Sequence, residues 1–195
     1  MDIRQSVEHI LAQLPSHVQL VAAVKTRTSD EVRIAIEAGI RIVGHNYVQE
    51  AEAMYPSIGD AVKWHCIGHL QRNKVKKAVA LFDMIETVDS YELAAEIDKR
   101  CAALGREMDI LVEVNSAREE CKSGVFPERA QRLIREISVL SRVHVRGLMT
   151  MGPLFDDPEA IRPYFRLTRE LFDRLSAEPI EGVANVRDSV VIQQL

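Results

Sequence analysis

The chain has 195 residues, of which 47% are hydrophobic and 28% charged, with a net charge of −4. That length supports one sizeable core, and the acidic balance argues against a general nucleic-acid binder. No apolar stretch approaches the roughly 20 residues needed to cross a bilayer. The three cysteines, Cys66, Cys101 and Cys121, have no paired spacing and fit reduced thiols in a cytoplasmic protein.

The opening MDIRQSVEHILAQL reads as an amphipathic helix with acids mixed in, neither a secretory signal nor a typical transit peptide. A rhythm follows. Short apolar runs predict strands at 20–24, 41–44, 63–67, 84–87, 110–114 and 145–149. Helical stretches alternate with them at 29–38, 48–54, 73–81, 90–103, 127–140 and 158–175. Thr28 or Ser29 and the Asp89-Ser90 pair look like helix caps, while Pro127 and Pro158 sit in first turns, where a missing amide proton costs nothing. The run at 189–192 suggests a seventh strand. Arg72, Lys74, Lys76 and Lys77 form a basic cluster that reads as a solvated helix face.

Six strand–helix units in succession imply an α/β protein with a mostly parallel sheet and right-handed crossovers. An open doubly wound sheet and a (β/α)8 barrel both satisfy this. Even spacing and the lack of a glycine-rich dinucleotide fingerprint favour the barrel, TIM-like but incomplete, since eight units are needed and about six are present. No linker divides the chain, so 1–195 is expected to form a single domain with an atypical tail at 178–195.

The first strand run, Leu20-Val21-Ala22-Ala23-Val24, ends in Lys25. A lysine at the carboxyl end of a buried parallel strand sits at the mouth of the sheet, where such proteins place ligands. Desolvation there would keep its amine neutral and able to form a Schiff base with an aldehyde. Asn46, His65, His69, Asn115, Met149 and Met151 cluster at other strand ends. His65, Cys66 and His69 are a poor metal set, because neighbours on a strand diverge. None of the cysteines has the partnered context of a reactive thiolate, and neither a GxSxG elbow nor a P-loop is present. Asn115 reads as closing a turn, the two methionines as packing, and 119–124 as a surface loop with a glycine turn.

The strings VAAVKTRTSDEVRIAIEAG, IVGHNYVQEA, WHCIGHLQRNK, VEVNSAREECKSG and VRGLMTMG resemble the pyridoxal-phosphate homeostasis proteins, small relatives of the alanine racemase N-terminal barrel. The resemblance implies that pyridoxal 5′-phosphate is held by Lys25 as an internal aldimine. It also implies that Asn46 lines the pocket and that Ile67 and Met149 pack near the ring. Family members typically carry glutamate at the position of His45, a change that is tolerated if the position faces solvent. Such proteins lack the racemase's second domain and catalytic tyrosine, and are thought to buffer or deliver the cofactor, with pyridoxal-phosphate-dependent apo-enzymes as receivers. A monomer or weak homo-oligomer, with no nucleic-acid or membrane partner, is expected. A racemase-like enzyme and a cofactor-free scaffold are the alternatives. Nothing in 178–195 matches the family's LSMGMS and VRIG segments, which hold the cofactor phosphate and place an arginine near the pyridine nitrogen. This fits a shortened family member.

Overall fold

The computed structural model describes residues 2–177, together with the backbone of a strand at 189–193. The chain opens with α1 (Ile3–Gln13), tied by a reciprocal cap in which Asp2 and Gln5 satisfy each other's backbone amides. Then come β1 (Val21–Ala23), α2 (Ser29–Glu37), β2 (Ile42–His45), α3 (Val48–Ile58), β3 (Lys63–Cys66), α4 (Val75–Leu81), β4 (Met84–Val88), α5 (Tyr91–Leu104), β5 (Met108–Val114), α6 (Pro127–Ile137), β6 (Val143–Met151), α7 (Pro158–Ala177) and β7 (Ser189–Gln193).

Local chemistry sets these boundaries. Thr28 caps α2, and Glu31 returns the bond to the Thr28 amide, so two orphan donors are satisfied at once. Ser90 occupies the cap position of α5 by its backbone, but its hydroxyl turns to Asp89 Oδ1 at 3.3 Å and makes no cap bond. That helix stops at Gly105, which adopts φ 63°, a left-handed conformation that glycine enters freely. α3 runs past Met54 through Pro56; a proline in the last turn forfeits one bond without ending the helix. The expected helix at 73–81 begins instead as a 3-10 turn, Arg72–Lys74, before α4.

All seven strands are parallel, and their spatial order is their chain order, β1 to β7. A doubly wound sheet would reverse order at a switch point; this one never does, which is barrel order. Among the described residues β1 and β7 remain the two edges. The count of about six units is corrected to seven strands, because β7 continues the sheet from Gly147↔Ser189 to Met151↔Gln193. The side chains of 178–195, where the expected tail and its missing phosphate contacts fall, lie outside the described residues.

The two faces of the sheet differ. Val43, Trp64, Ile85, Ile110, Val112 and Leu148 pack with helix residues such as Val32, Ala51, Val75, Ala78, Ile97, Ile134 and Leu171 in one hydrophobic core. Ile42, Ile67, Leu111 and Met149 are just as buried but stand apart from that cluster. They belong to the opposite, concave face. The curl is visible at Gly44, where an added Cβ would meet Ile67 at 2.7 Å and Val21 at 3.0 Å; side chains from both neighbouring strands close over β2. Among the described residues, no helix is long and apolar enough to cross a membrane.

Candidate functional site

Strand alternation assigns the site to the concave face. The register runs Ala23↔Gly44↔His65, and two residues further along each strand stand Lys25, Asn46 and Ile67, so these three share a face on neighbouring strands. Met149 lies on the same face of β6, paired with Glu113 of β5. Lys25, Asn46 and Ile67 thus follow the last concave-face residues of β1, β2 and β3, and Met149 lies within β6.

Their surroundings are specific. The Val24 amide donates to the Gly44 carbonyl at 3.1 Å and extends the ladder, and the Arg27 amide closes a turn on the Val24 carbonyl at 3.1 Å. Between them Thr26 takes φ 62°, a strained conformation for a β-branched residue. Lys25 is exposed, which corrects the expectation that burial desolvates it: a strand end at the sheet's open rim is at the surface. Asn46 is half-buried, and its Oδ1 is enclosed without a hydrogen-bond partner. Ile67 and Met149 are buried apolar walls.

Other rim residues resolve into structural work. Asn115 donates Nδ2 to the Glu119 carbonyl at 2.8 Å and accepts the Glu119 amide at Oδ1 at 3.1 Å, closing the turn as its type suggests. The loop after it returns through Gly124 at φ 103°. His69 is exposed and meets Ser123 Oγ at 3.2 Å. His65 and Cys66 do diverge: His65 Nδ1 pairs with Glu86 Oε1 at 2.6 Å on the concave side, while Cys66 joins the helix-side core, where burial pushes its thiol up to about 12. Among the described residues no group of three or more histidine, cysteine or acidic side chains could hold a metal.

Sequence reading missed two carboxylates, Glu86 and Glu113, buried on the concave face. Their signal was a glutamate inside an otherwise apolar strand, in MIETV and ILVEV. Burial pushes the Glu113 carboxyl up to about 7, with the negative charge of Asp89 adding to it.

His45 does not face solvent. It is fully buried, stacked on Trp64 with ring centroids 5.4 Å apart and 13° between planes, and neither ring nitrogen has a partner. A glutamate placed there would be a buried, unpaired charge, so here the position suits a neutral ring. Desolvation holds the imidazole down at about 4, against an ordinary 6.5. Because the fold prefers the neutral form, its contribution is complete above about pH 6.5 and lost as pH falls toward about 4, by about 1.4 kcal/mol per pH unit. Urea denaturation should show that loss in wild type and a flatter profile in His45→Phe; parallel profiles would contradict it.

Gly68 fixes the approach of the β2 and β3 termini. A Cβ there would lie 2.4 Å from the Asn46 carbonyl oxygen and 2.6 Å from its Cα, both backbone atoms that cannot swing away. The Gly68 carbonyl also accepts Thr87 Oγ1 at 2.7 Å. Gly68→Ala is expected to cost about 1–3 kcal/mol by overpacking and to push Asn46 out of place. Chemical denaturation checks the first effect, and the backbone amide shift of Asn46 the second.

Residues 2–189 match the alanine racemase N-terminal domain family. The chain is 40% identical over 161 residues to the pyridoxal phosphate homeostasis protein of Aquifex aeolicus, covering 82% of this chain and 71% of that one. The chain belongs to the family of pyridoxal phosphate homeostasis proteins. The Helicobacter pylori member is 32% identical over 187 residues, 90% of this chain and 84% of its own. Among solved structures, PipY of Synechococcus elongatus without PLP superposes with a TM-score of 0.86 at 33% identity, covering 93% of this chain and 85% of that one. The same protein with PLP bound gives 0.84 at 32%, with the same coverage. Alanine racemase of Clostridium difficile, at 13% identity and TM-score 0.76, shares the fold, which identifies the curled parallel sheet as the racemase type of barrel.

Proposed function

We propose that this chain binds pyridoxal 5′-phosphate through Lys25 and serves vitamin B6 homeostasis as a carrier or buffer of the cofactor. What supports the reading is that Lys25 follows β1 at the carboxyl-terminal rim of the sheet and is exposed there, in a chain whose relative PipY has been solved with PLP bound at a TM-score of 0.84. When bound, the cofactor supplies an aldehyde carbon with which a neutral amine condenses reversibly.

The residues present fit that group. Lys25 offers a reachable amine at the rim, the enclosed Asn46 Oδ1 an unclaimed acceptor, and Ile67 and Met149 an apolar wall for a planar ring. An exposed lysine also suits exchange, because an incoming amine can reach the same carbon. On this reading the receivers are pyridoxal-phosphate-dependent apo-enzymes, the chain acts in the cytoplasm as a single domain over 1–195, and it is a monomer or weak homo-oligomer.

The test mixes the purified chain with the cofactor, reduces with borohydride and maps the adduct by peptide mass spectrometry. Stoichiometric labelling at Lys25 supports the reading; labelling scattered over surface lysines, or none, overturns it.

A further inference from the structure

Two concave-face carboxylates take no part in the reading above. Glu86 is fully buried; one oxygen receives His65, and Oε2 has no partner. Glu113 is 8% exposed, and its Oε2 is likewise enclosed without a partner. Position separates the two. Glu113 is the direct cross-strand neighbour of Met149 on the same face, so it stands beside a wall residue of the proposed cofactor site, at the carboxyl-terminal end of β5.

We propose that Glu113 is a further ligand-facing residue of this site, meeting the bound cofactor as a neutral carboxyl, so that capture takes up one proton from solvent at Glu113. The inference rests on the functional reading given above and deepens it. An unpaired carboxylate in a buried wall is costly, and protonation is how such a group escapes the cost. Burial and Asp89 already hold Glu113 at about 7. A phosphate-bearing ligand adds negative charge and excludes water, and both effects favour the protonated form. The neutral carboxyl then offers one O–H donor as well as acceptor lone pairs, which suits a ligand rich in oxygen.

Among the described residues, strand register puts these charged and titratable groups on this side of the sheet: Glu86 and Asp89 from β4 and its end, Lys63 and His65 from β3, Asp109, His144 and Arg146 of β5 and β6, and Lys25 beyond β1. Among them Lys25 has the opposite pH effect, since its amine must lose a proton to react. That effect is common to wild type and to a Glu113 variant, so comparison of the two cancels it.

The experiment measures the dissociation constant for pyridoxal 5′-phosphate from about pH 6 to about pH 9 in wild type and Glu113→Gln, with the adduct mapped after reduction in each. Glutamine keeps the shape and cannot ionise. Above about pH 7, wild type should weaken relative to Glu113→Gln by up to about tenfold per pH unit. In wild type carrying 13C-carboxyl glutamate, the Glu113 midpoint should rise by about one unit or more on loading, a readout that needs no variant. A flat ratio, or a midpoint that loading leaves in place, overturns the inference while a Lys25 adduct keeps the functional reading. No adduct at Lys25 in wild type overturns both.

Discussion

Lys25→Ala is expected to abolish covalent capture of pyridoxal 5′-phosphate and to leave the fold standing. The two halves of this expectation have separate grounds. Capture needs an amine at the sheet's open rim, and Lys25 follows β1 at that rim. Three other lysines are held in ion pairs: Lys63 with Asp83 at 2.9 Å, Lys77 with Glu52 at 2.8 Å and Lys122 with Glu119 at 2.8 Å. The fold should survive because Lys25 is exposed, and truncating a surface side chain of this kind shifts stability by only about 0.5 kcal/mol. Lys25→Arg sharpens the test, since it keeps the positive charge while a guanidinium cannot lose its proton to act as a nucleophile. Borohydride trapping and a thermal melt on both variants decide the matter. An undiminished adduct in either variant would sink the assignment, because the trapped bond would then sit on another amine.

The residues behind that prediction were readable before the fold was known, and it is instructive which were not. The apolar run Leu20–Val24 announced a strand by its length and composition, although the structure leaves β1 only partly buried at one edge of the described sheet. The strand-end lysine was legible for the same reason: it breaks such a run at one definite point. Alternation, however, says only which residues share a face. It cannot say which face the helices cover. His45 and Cys66 sit in register on the helix side, while His65, one residue before Cys66, looks into the concavity. Nothing in the residue pattern separates the two histidines, so the environment of His45 stays open until the structure stacks it in the core. Glu113 was hidden by the same ambiguity, because a carboxylate in an apolar strand is equally readable as an edge. The desolvation of Lys25 failed for a geometric reason: the rim that makes the lysine reachable also leaves it wet.

The largest loss of stability from a single truncation is expected at Trp64, a core residue next to the β2 terminus. Trp64 is 1% exposed and heads the fully buried side chains by volume. Its Nε1 donates to the Gly59 carbonyl at 2.9 Å, its amide donates to Asp83 Oδ2 at 2.8 Å, and its ring stacks on His45 and tilts against Tyr55 at 5.3 Å. Trp64→Ala removes the ring, leaves the Gly59 carbonyl without its donor and opens a cavity under β3, at a cost of about 3–5 kcal/mol. Set against a typical total of about 5–15 kcal/mol for a domain, that is a large share. Trp64 is the only tryptophan, so unfolding should be followed by circular dichroism in urea and not by fluorescence. A loss below about 1 kcal/mol would show that the ring is not the core element that its burial indicates. Trp64→Phe should recover most of the packing and forfeit chiefly the Gly59 bond, about 1 kcal/mol. Crossing Trp64→Ala with His45→Ala then isolates the stacked pair, for which about 0.5–1.5 kcal/mol of coupling is expected. A coupling of that size would mean that the ring on β3 holds the β2 terminus, and with it Asn46 one residue further on; additive losses would leave His45 held by burial alone.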